Sequence, residues 1–268
     1  MSRWLAAFLI GAGLAGGQTA PANAAYEKAN KLFVAKKFPE AAAAVSEALR
    51  LDPDLVLALT LKAKLEMANN HFEQARHALE HALLVDPKAE YAQFLYGLEA
   101  YVTNEMAEAL PRFRKARQLN VKNPRAALYL GLTCESLGNT EEAMALYREA
   151  VRLEQAKGSV DAETLLPGAR LLSLQGHLEE SEKWVRQALK AAPNFRDSHF
   201  ELARVLLKKG DAAGAVAEGE TALRLTGTIV TDAQIHYLLI RAWRENGSPE
   251  KAALQADLLR SLETPKGR

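Results

Sequence analysis

Only one cysteine, Cys134, occurs in 268 residues, so no internal disulfide holds this chain together. A lone thiol at apolar helical spacing is read as a small buried hydrophobe. Charge of one sign is also missing: Lys and Arg exceed Asp and Glu by one, for a net charge of +1. That balance excludes the broadly basic surface that non-specific nucleic-acid binding needs. No phosphate loop, nucleophile elbow or paired zinc motif is present, so no catalytic, cofactor-binding or metal-binding residue is assigned. Gly11, Gly13 and Gly16 match the dinucleotide-binding spacing, but no strand precedes them. His77, His81 and Glu73 share one helix face, yet in an order that fits a solvated surface better than a metal site.

What the chain does contain is repetition. Ala41, Ala75, Ala109 and Ala143 stand 34 residues apart. Ala48, Ala82, Ala116 and Ala150 keep the same step, as do Ala29, Ala63, Gly97 and Gly131. Three series in one register mean that one small unit is copied along the chain. Within a copy, apolar residues at helical spacing run up to a breaker, and a second helical stretch follows. In the fourth copy Leu128, Leu130, Leu132 and Cys134 precede Gly138. Thr140 then offers a hydroxyl N-cap, with Glu141 and Glu142 at the positive end of the helix dipole. The breakers are Asn70, Asn104, Gly138, Gly176, Gly210 and Gly247, the two residue types that tolerate a left-handed backbone at a helix end. Small residues where helices cross leave room for Leu79, Phe113 and Tyr147. A single hairpin cannot bury its apolar face, so the copies stack.

The third copy reads Tyr96-Gly97, Ala109, Phe113, Ala116. The fourth reads Leu130-Gly131, Ala143, Tyr147, Ala150. Pro53, Pro87 and Pro193 close other copies. In these residues the chain resembles tetratricopeptide repeat proteins. The resemblance implies an all-α, right-handed α-solenoid of about seven helix–turn–helix repeats, at about 25–55, 56–89, 90–123, 124–157, 162–195, 196–229 and 233–266. Insertions near Gly158–Asp161 and Val230–Asp232 separate the later units, and 267–268 is a tail. Pro167 predicts a late start or a kink in the first helix of unit five, because it removes a backbone donor. Ser248 and Pro249 predict a helix start.

Residues 1–24 read as an export signal. Arg3 precedes an apolar stretch, Trp4 to Gly17, too short to span a bilayer, which takes about 20 residues. Ala22-Asn23-Ala24 is a small-x-small motif, which places cleavage after Ala24 and the first helix near Ala25. The expected location is therefore periplasmic or secreted, with no stable membrane insertion once the signal is removed.

The resemblance also implies a concave face built from the first helix of each hairpin. Carried onto this sequence, the early units place Tyr26, Phe33, Met67, Tyr91, Phe94, Leu98, Tyr101, Leu128 and Leu132 there. The late units place Arg170, Arg204 and Arg241 at one equivalent position, with Lys208 and Arg244 nearby. The sharp reading is a groove for another protein or peptide, with the arginine row suited to acidic groups. The bland reading packs the aromatics between repeats and pairs the arginines with Glu201 and Glu245. The function expected is a non-enzymatic scaffold or assembly factor of the cell envelope, acting without cofactors. The alternative is an accessory module presenting cell-envelope polysaccharide or peptidoglycan. Self-association through the last repeat is a further expectation. Trp184 and Trp243 read as packing residues, and His199 and His236 as matching residues that stack between repeats.

Overall fold

A computed structural model describes residues 15–227 and 229–263. They form fourteen helices and no strand: α1 (Ala15–Val34), α2 (Phe38–Leu51), α3 (Val56–Ala68), α4 (Phe72–Val85), α5 (Glu90–Val102), α6 (Met106–Leu119), α7 (Pro124–Ser136), α8 (Thr140–Gln155), α9 (Ala162–Leu174), α10 (Leu178–Ala191), α11 (Arg196–Lys208), α12 (Ala212–Arg224), α13 (Asp232–Glu245) and α14 (Pro249–Glu263). The class is the all-α repeat solenoid. Two compact units divide the chain, Met1–Leu137 and Gly138–Arg268. The first holds the hairpins α1/α2, α3/α4 and α5/α6, followed by α7. The second holds α8, followed by α9/α10, α11/α12 and α13/α14.

One turn is repeated throughout. Asn70, Asn104, Gly138, Gly176, Gly210 and Gly247 all have positive φ, as their residue types predict. The first hairpin turns in the same way, but on a lysine: Lys36 has φ 58°. The next amide then reaches back to close the helix, Lys37 N–H to Leu32 O at 2.9 Å and His71 N–H to Glu66 O at 2.9 Å.

The small ladders do what their size permits. Ala41, Ala75, Ala109 and Ala143 are all sealed from solvent, as are Leu79, Phe113 and Tyr147 beside them. At Gly97 the fit leaves no room for a side chain: a Cβ there would lie 2.7 Å from the Phe113 ring.

Several expectations are corrected. α1 begins at least at Ala15, ten residues ahead of the expected start, and runs unbroken through Pro21 and the Ala22-Asn23-Ala24 motif. Arg3, most of the apolar stretch before Gly17, Gly11 and Gly13, and the tail from Thr264 lie outside the described residues. α9 starts at Ala162 and carries Pro167 within it, so there is no late start. A proline at the sixth helical position removes one donor only, and α6 accommodates Pro111 at the same place. Thr140 is the first residue of α8 rather than its cap, which is Asn139.

The insertions are anchored by buried acids. Glu154 accepts from Asp161 N–H at 2.9 Å and from the Thr164 hydroxyl at 2.8 Å, closing the loop before α9. Asp197 accepts from Val230 N–H at 3.1 Å, and Arg196 binds Asp232 across the loop before α13. His199 reaches the preceding repeat, meeting the Pro193 carbonyl at 2.8 Å. Both His199 and His236 also make a bond within a hairpin, to Glu218 and Gln255 respectively, both at 2.6 Å.

Candidate functional site

In the first unit, α1, α3, α5 and α7 lie side by side, each touching the next. Their shared face carries the aromatic residues. Tyr91 is 43% exposed and stacks on Phe94, with ring centroids 6.3 Å apart. Phe94 is buried. It packs against Phe113 at 5.7 Å and against Tyr129 at 5.6 Å. Tyr101 meets Tyr129 edge-on at 5.9 Å. The stripe is thus a continuous cluster with a buried floor, Phe94 and Phe113, and accessible edges, Tyr91, Tyr101 and Tyr129. Leu98 is half-buried and Leu128 almost fully buried, so they belong with the floor.

A cation sits among these rings. Lys64 Nζ lies 4.2 Å from the Phe33 centroid and 5.7 Å from that of Tyr91. Such ammonium–ring contacts are favourable electrostatically. On α1 the Tyr26 phenol is pushed above its ordinary value by burial first and by the nearby Tyr91 phenol second. The sequence reading passed over Lys64 and Tyr129. Lys64 had a signal: it occupies the same repeat position as Leu98, Leu132, Arg170, Arg204 and Arg241. Tyr129 had none, because its position is held by Leu61 and Leu95 in the two preceding repeats.

In the second unit, the α9 and α11 cations gather around one acid. Glu201 is buried, and its Oε2 accepts from Arg204 at 2.8 Å. Burial raises the Glu201 carboxyl above its ordinary value, while Arg204, Arg170 and Lys208 pull it down less strongly. Lys208 also donates to the Ser173 carbonyl at 2.7 Å and to its hydroxyl at 3.1 Å, tying α11 to α9. Arg241 is held instead by Glu245 of its own helix at 2.7 Å, and Arg244 is exposed. The expected row is therefore a cluster of three, Arg170, Arg204 and Lys208. The pairings with Glu201 and Glu245 are both present.

Elsewhere the residues singled out fall into structural places. His81 binds Asp54 at 2.8 Å, and His77 lies 3.6 Å from Glu80. Among the described residues no group of three metal-ligating side chains converges, and no helix is long and apolar enough to cross a membrane. Cys134 is buried. Trp243 is buried beneath Lys251, and Trp184 covers Gly168. On α14, Leu254, Leu258 and Leu262 form an exposed stripe one turn apart.

Comparison with known proteins gives one consistent result. A tetratricopeptide repeat profile matches residues 97–159 and 167–228, and a second matches 32–95. No curated protein sequence matches. Among solved structures, Pseudomonas aeruginosa pilF superposes with a TM-score of 0.70 at 18% identity, over 78% of this chain and 93% of that one. PilW, a widely conserved type IV pilus biogenesis factor, gives 0.69 at 21% identity, over 79% and 96%. YrrB, a TPR protein with an unusual peptide-binding site, gives 0.58 at 20% identity, over 77% and 99%.

Proposed function

This chain belongs to the tetratricopeptide repeat family, and we propose that it is a non-enzymatic scaffold or assembly factor of the cell envelope that binds a protein or peptide partner. The observation that carries this reading is the face of α1, α3, α5 and α7. Tyr91, Tyr101 and Tyr129 present ring edges over a buried Phe94 and Phe113 floor, with Lys64 seated between Phe33 and Tyr91. Rigid aromatics bury much area at little entropic cost, and a cation beside them orients an incoming segment. Recognition of this kind makes and breaks no covalent bond. The envelope assignment rests on the reading of residues 1–24 as an export signal. The fold likeness to pilF and PilW, the latter a pilus biogenesis factor, agrees with it.

The test is a photo-crosslinking residue placed at Tyr91 in cells of the source organism, with Leu84 on α4 as the control. Leu84 is 82% exposed and belongs to α4, which is not one of the four helices of this face. A discrete crosslinked polypeptide at Tyr91, absent at Leu84 and lost on Lys64→Glu, supports the reading. The same products at both positions would sink it.

The α14 stripe favours a second reading, self-association. At the positions of Leu254, Leu258 and Leu262 the two preceding repeats carry Ala217, Thr221 and Leu225, and Lys183, Gln187 and Ala191. The repeat itself therefore does not require three leucines. Two copies of α14 placed antiparallel about Leu258 set Leu254 of one against Leu262 of the other, a self-complementary contact. Sedimentation of wild type against Leu258→Glu decides it: a single monomeric species for both excludes the contact.

A further inference from the structure

In the second unit, two clefts adjoin between α8 and α10. The first encloses about 530 Å³, a size ordinary for a ligand site. The second, about 490 Å³, shares Gln155 and Gln187 with it and continues to Lys190 and the 158–161 loop. The floor of the first cleft depends on a paired departure from the repeat. Gly168 of α9 stands where every other repeat has a side chain: Lys28, Lys62, Tyr96, Leu130, Leu202 and Leu239. Trp184 of α10 lays the six-membered edge of its indole on that glycine, where a Cβ would strike it. No other repeat has an aromatic residue at the Trp184 position, which holds Ala44, Ala78, Arg112, Leu146, Glu218 and Gln255. The indole nitrogen lies at the opposite end of the ring system, away from Gly168. Its N–H makes no hydrogen bond among the described residues.

The rim of this cleft is cationic. Arg148 spans it to both oxygens of Glu180, at 2.9 and 3.1 Å, so that pair is neutral. Arg152, one turn further on, makes only a 3.4 Å bond to the Arg148 carbonyl of its own helix. Lys183 makes no hydrogen bond or ion pair among the described residues. Two further acids of α10, Glu179 and Glu182, turn to Lys209 instead. Arg152 and Lys183 are both exposed, and neither charge is compensated within the cleft. The adjoining cleft adds Lys190 and Asp161, one charge of each sign. Where the two meet, the Gln155 and Gln187 side-chain amides are also unpartnered among the described residues, and each can both donate and accept.

We infer that the α8/α10 cleft binds an acidic saccharide, a sugar chain bearing carboxylate groups. Each part of such a ligand has its counterpart. The carboxylate meets the Arg152 fork and the Lys183 ammonium. The apolar face of a sugar ring lies over Val151 and Trp184. Hydroxyl groups, which donate and accept, match the two amides. A phosphate or sulfate, which only accepts, would leave the amide carbonyls unmatched. The opening past Gln155 and Gln187 lets a chain of more than one sugar run along the helices. This site uses none of α1, α3, α5 and α7, so it goes beyond the scaffold reading.

The experiment titrates the full chain with trigalacturonate at fixed salt and reads affinity by isothermal calorimetry. The comparison ligands are maltotriose, which is neutral, citrate, which is a polyanion without a sugar ring, and an amidated decapeptide alternating Glu and Ala. Wild type is expected to bind trigalacturonate and none of the other three. Arg152→Gln and Lys183→Gln are each expected to lose about tenfold in affinity. Arg244→Gln removes the same charge from exposed α13 and is expected to change affinity by less than about twofold. Maltotriose bound as tightly as trigalacturonate overturns the role of the cations. Citrate or the peptide bound as tightly overturns the saccharide specificity. A loss on Arg244→Gln equal to that on Arg152→Gln reduces the effect to a long-range field and overturns the site. If trigalacturonate does not bind wild type while the Tyr91 crosslink forms, this inference fails and the scaffold reading stands.

Discussion

Arg76 on α4 reaches across to the next hairpin and grips Glu99 of α5 with two nitrogens, Nε to Oε2 at 3.2 Å and Nη2 to Oε1 at 3.0 Å, while Nη2 also meets Glu105 at 2.7 Å. Glu99 is 1% exposed, and burial pushes its carboxyl up against the pull of Arg76. Arg76 is held above its usual range chiefly by Glu99 and then by Glu105. Removing one partner strands the other. Arg76→Ala is expected to destabilise the chain by about 3 kcal/mol in urea unfolding followed by circular dichroism. The pair Arg76→Met with Glu99→Leu, which restores the leucine of the preceding repeat, is expected to recover all but about 1 kcal/mol. A single variant as stable as wild type would remove this contact from the account of how repeats two and three are joined.

Gly97 is a packing position whose backbone needs no left-handed conformation. The Phe113 ring occupies the space where a Cβ would stand, at 2.7 and 2.8 Å from its nearest atoms. Phe113 cannot swing away, because Phe94 and Tyr129 hold it at 5.7 Å each. Gly97→Ala is therefore expected to cost about 1–3 kcal/mol despite alanine's better helix propensity. Gly97→Ala combined with Phe113→Leu should recover part of that. A thermal midpoint raised by Gly97→Ala alone would show that helix propensity outweighs the clash.

Lys36 turns the first hairpin with φ 58° where later repeats use Asn or Gly. A side chain in that region meets its own backbone, which glycine avoids. Lys36→Gly is expected to stabilise by about 0.5–1 kcal/mol, the relief of strain being partly offset by the freer unfolded chain. The readout is the thermal midpoint, with Lys37→Gly as a control expected to destabilise. Equal effects from the two would deny any special role to position 36.

These positions show where sequence reasoning reached and where it stopped. The 34-residue period, the breakers and the small ladders are local, repeated signals, so hairpins and their turns could be read directly. Lys36 escaped because a lysine carries no turn preference; the register alone required the turn there. The N-terminal extent of α1 escaped because a small-residue motif and a helix use the same alanines. At the site, repeat position told which residues share a face, but not which of them touch. Phe94 sits at a groove position yet forms the floor, because Tyr91 and Tyr129 close over it. The arginine row split because Arg241 has Glu245 one turn ahead, whereas Arg204 has Glu201 one turn behind. Glu201 itself was named as a pairing partner, but its burial and unpaired oxygen depend on neighbouring helices that no local pattern encodes.

That burial has a pH signature with a definite sign. The Glu201 carboxyl is raised in the folded chain by desolvation, so folded chains hold its proton more tightly than unfolded ones. Stability from this group is then fully present below the ordinary carboxylate range. It is lost as pH rises through the raised value, because stability falls wherever the folded state binds more protons. Once ionised, the half-satisfied Glu201 is a net cost. Glu201→Leu, the residue found at this position in three other repeats, is expected to be more stable than wild type by about 1–3 kcal/mol. The advantage should shrink as pH is lowered toward the ordinary carboxylate value, because wild type gains a proton that the variant cannot take. Urea unfolding of both proteins across that range measures the difference directly. A variant less stable than wild type at neutral pH would mean that the Arg204–Glu201 bond supports the fold.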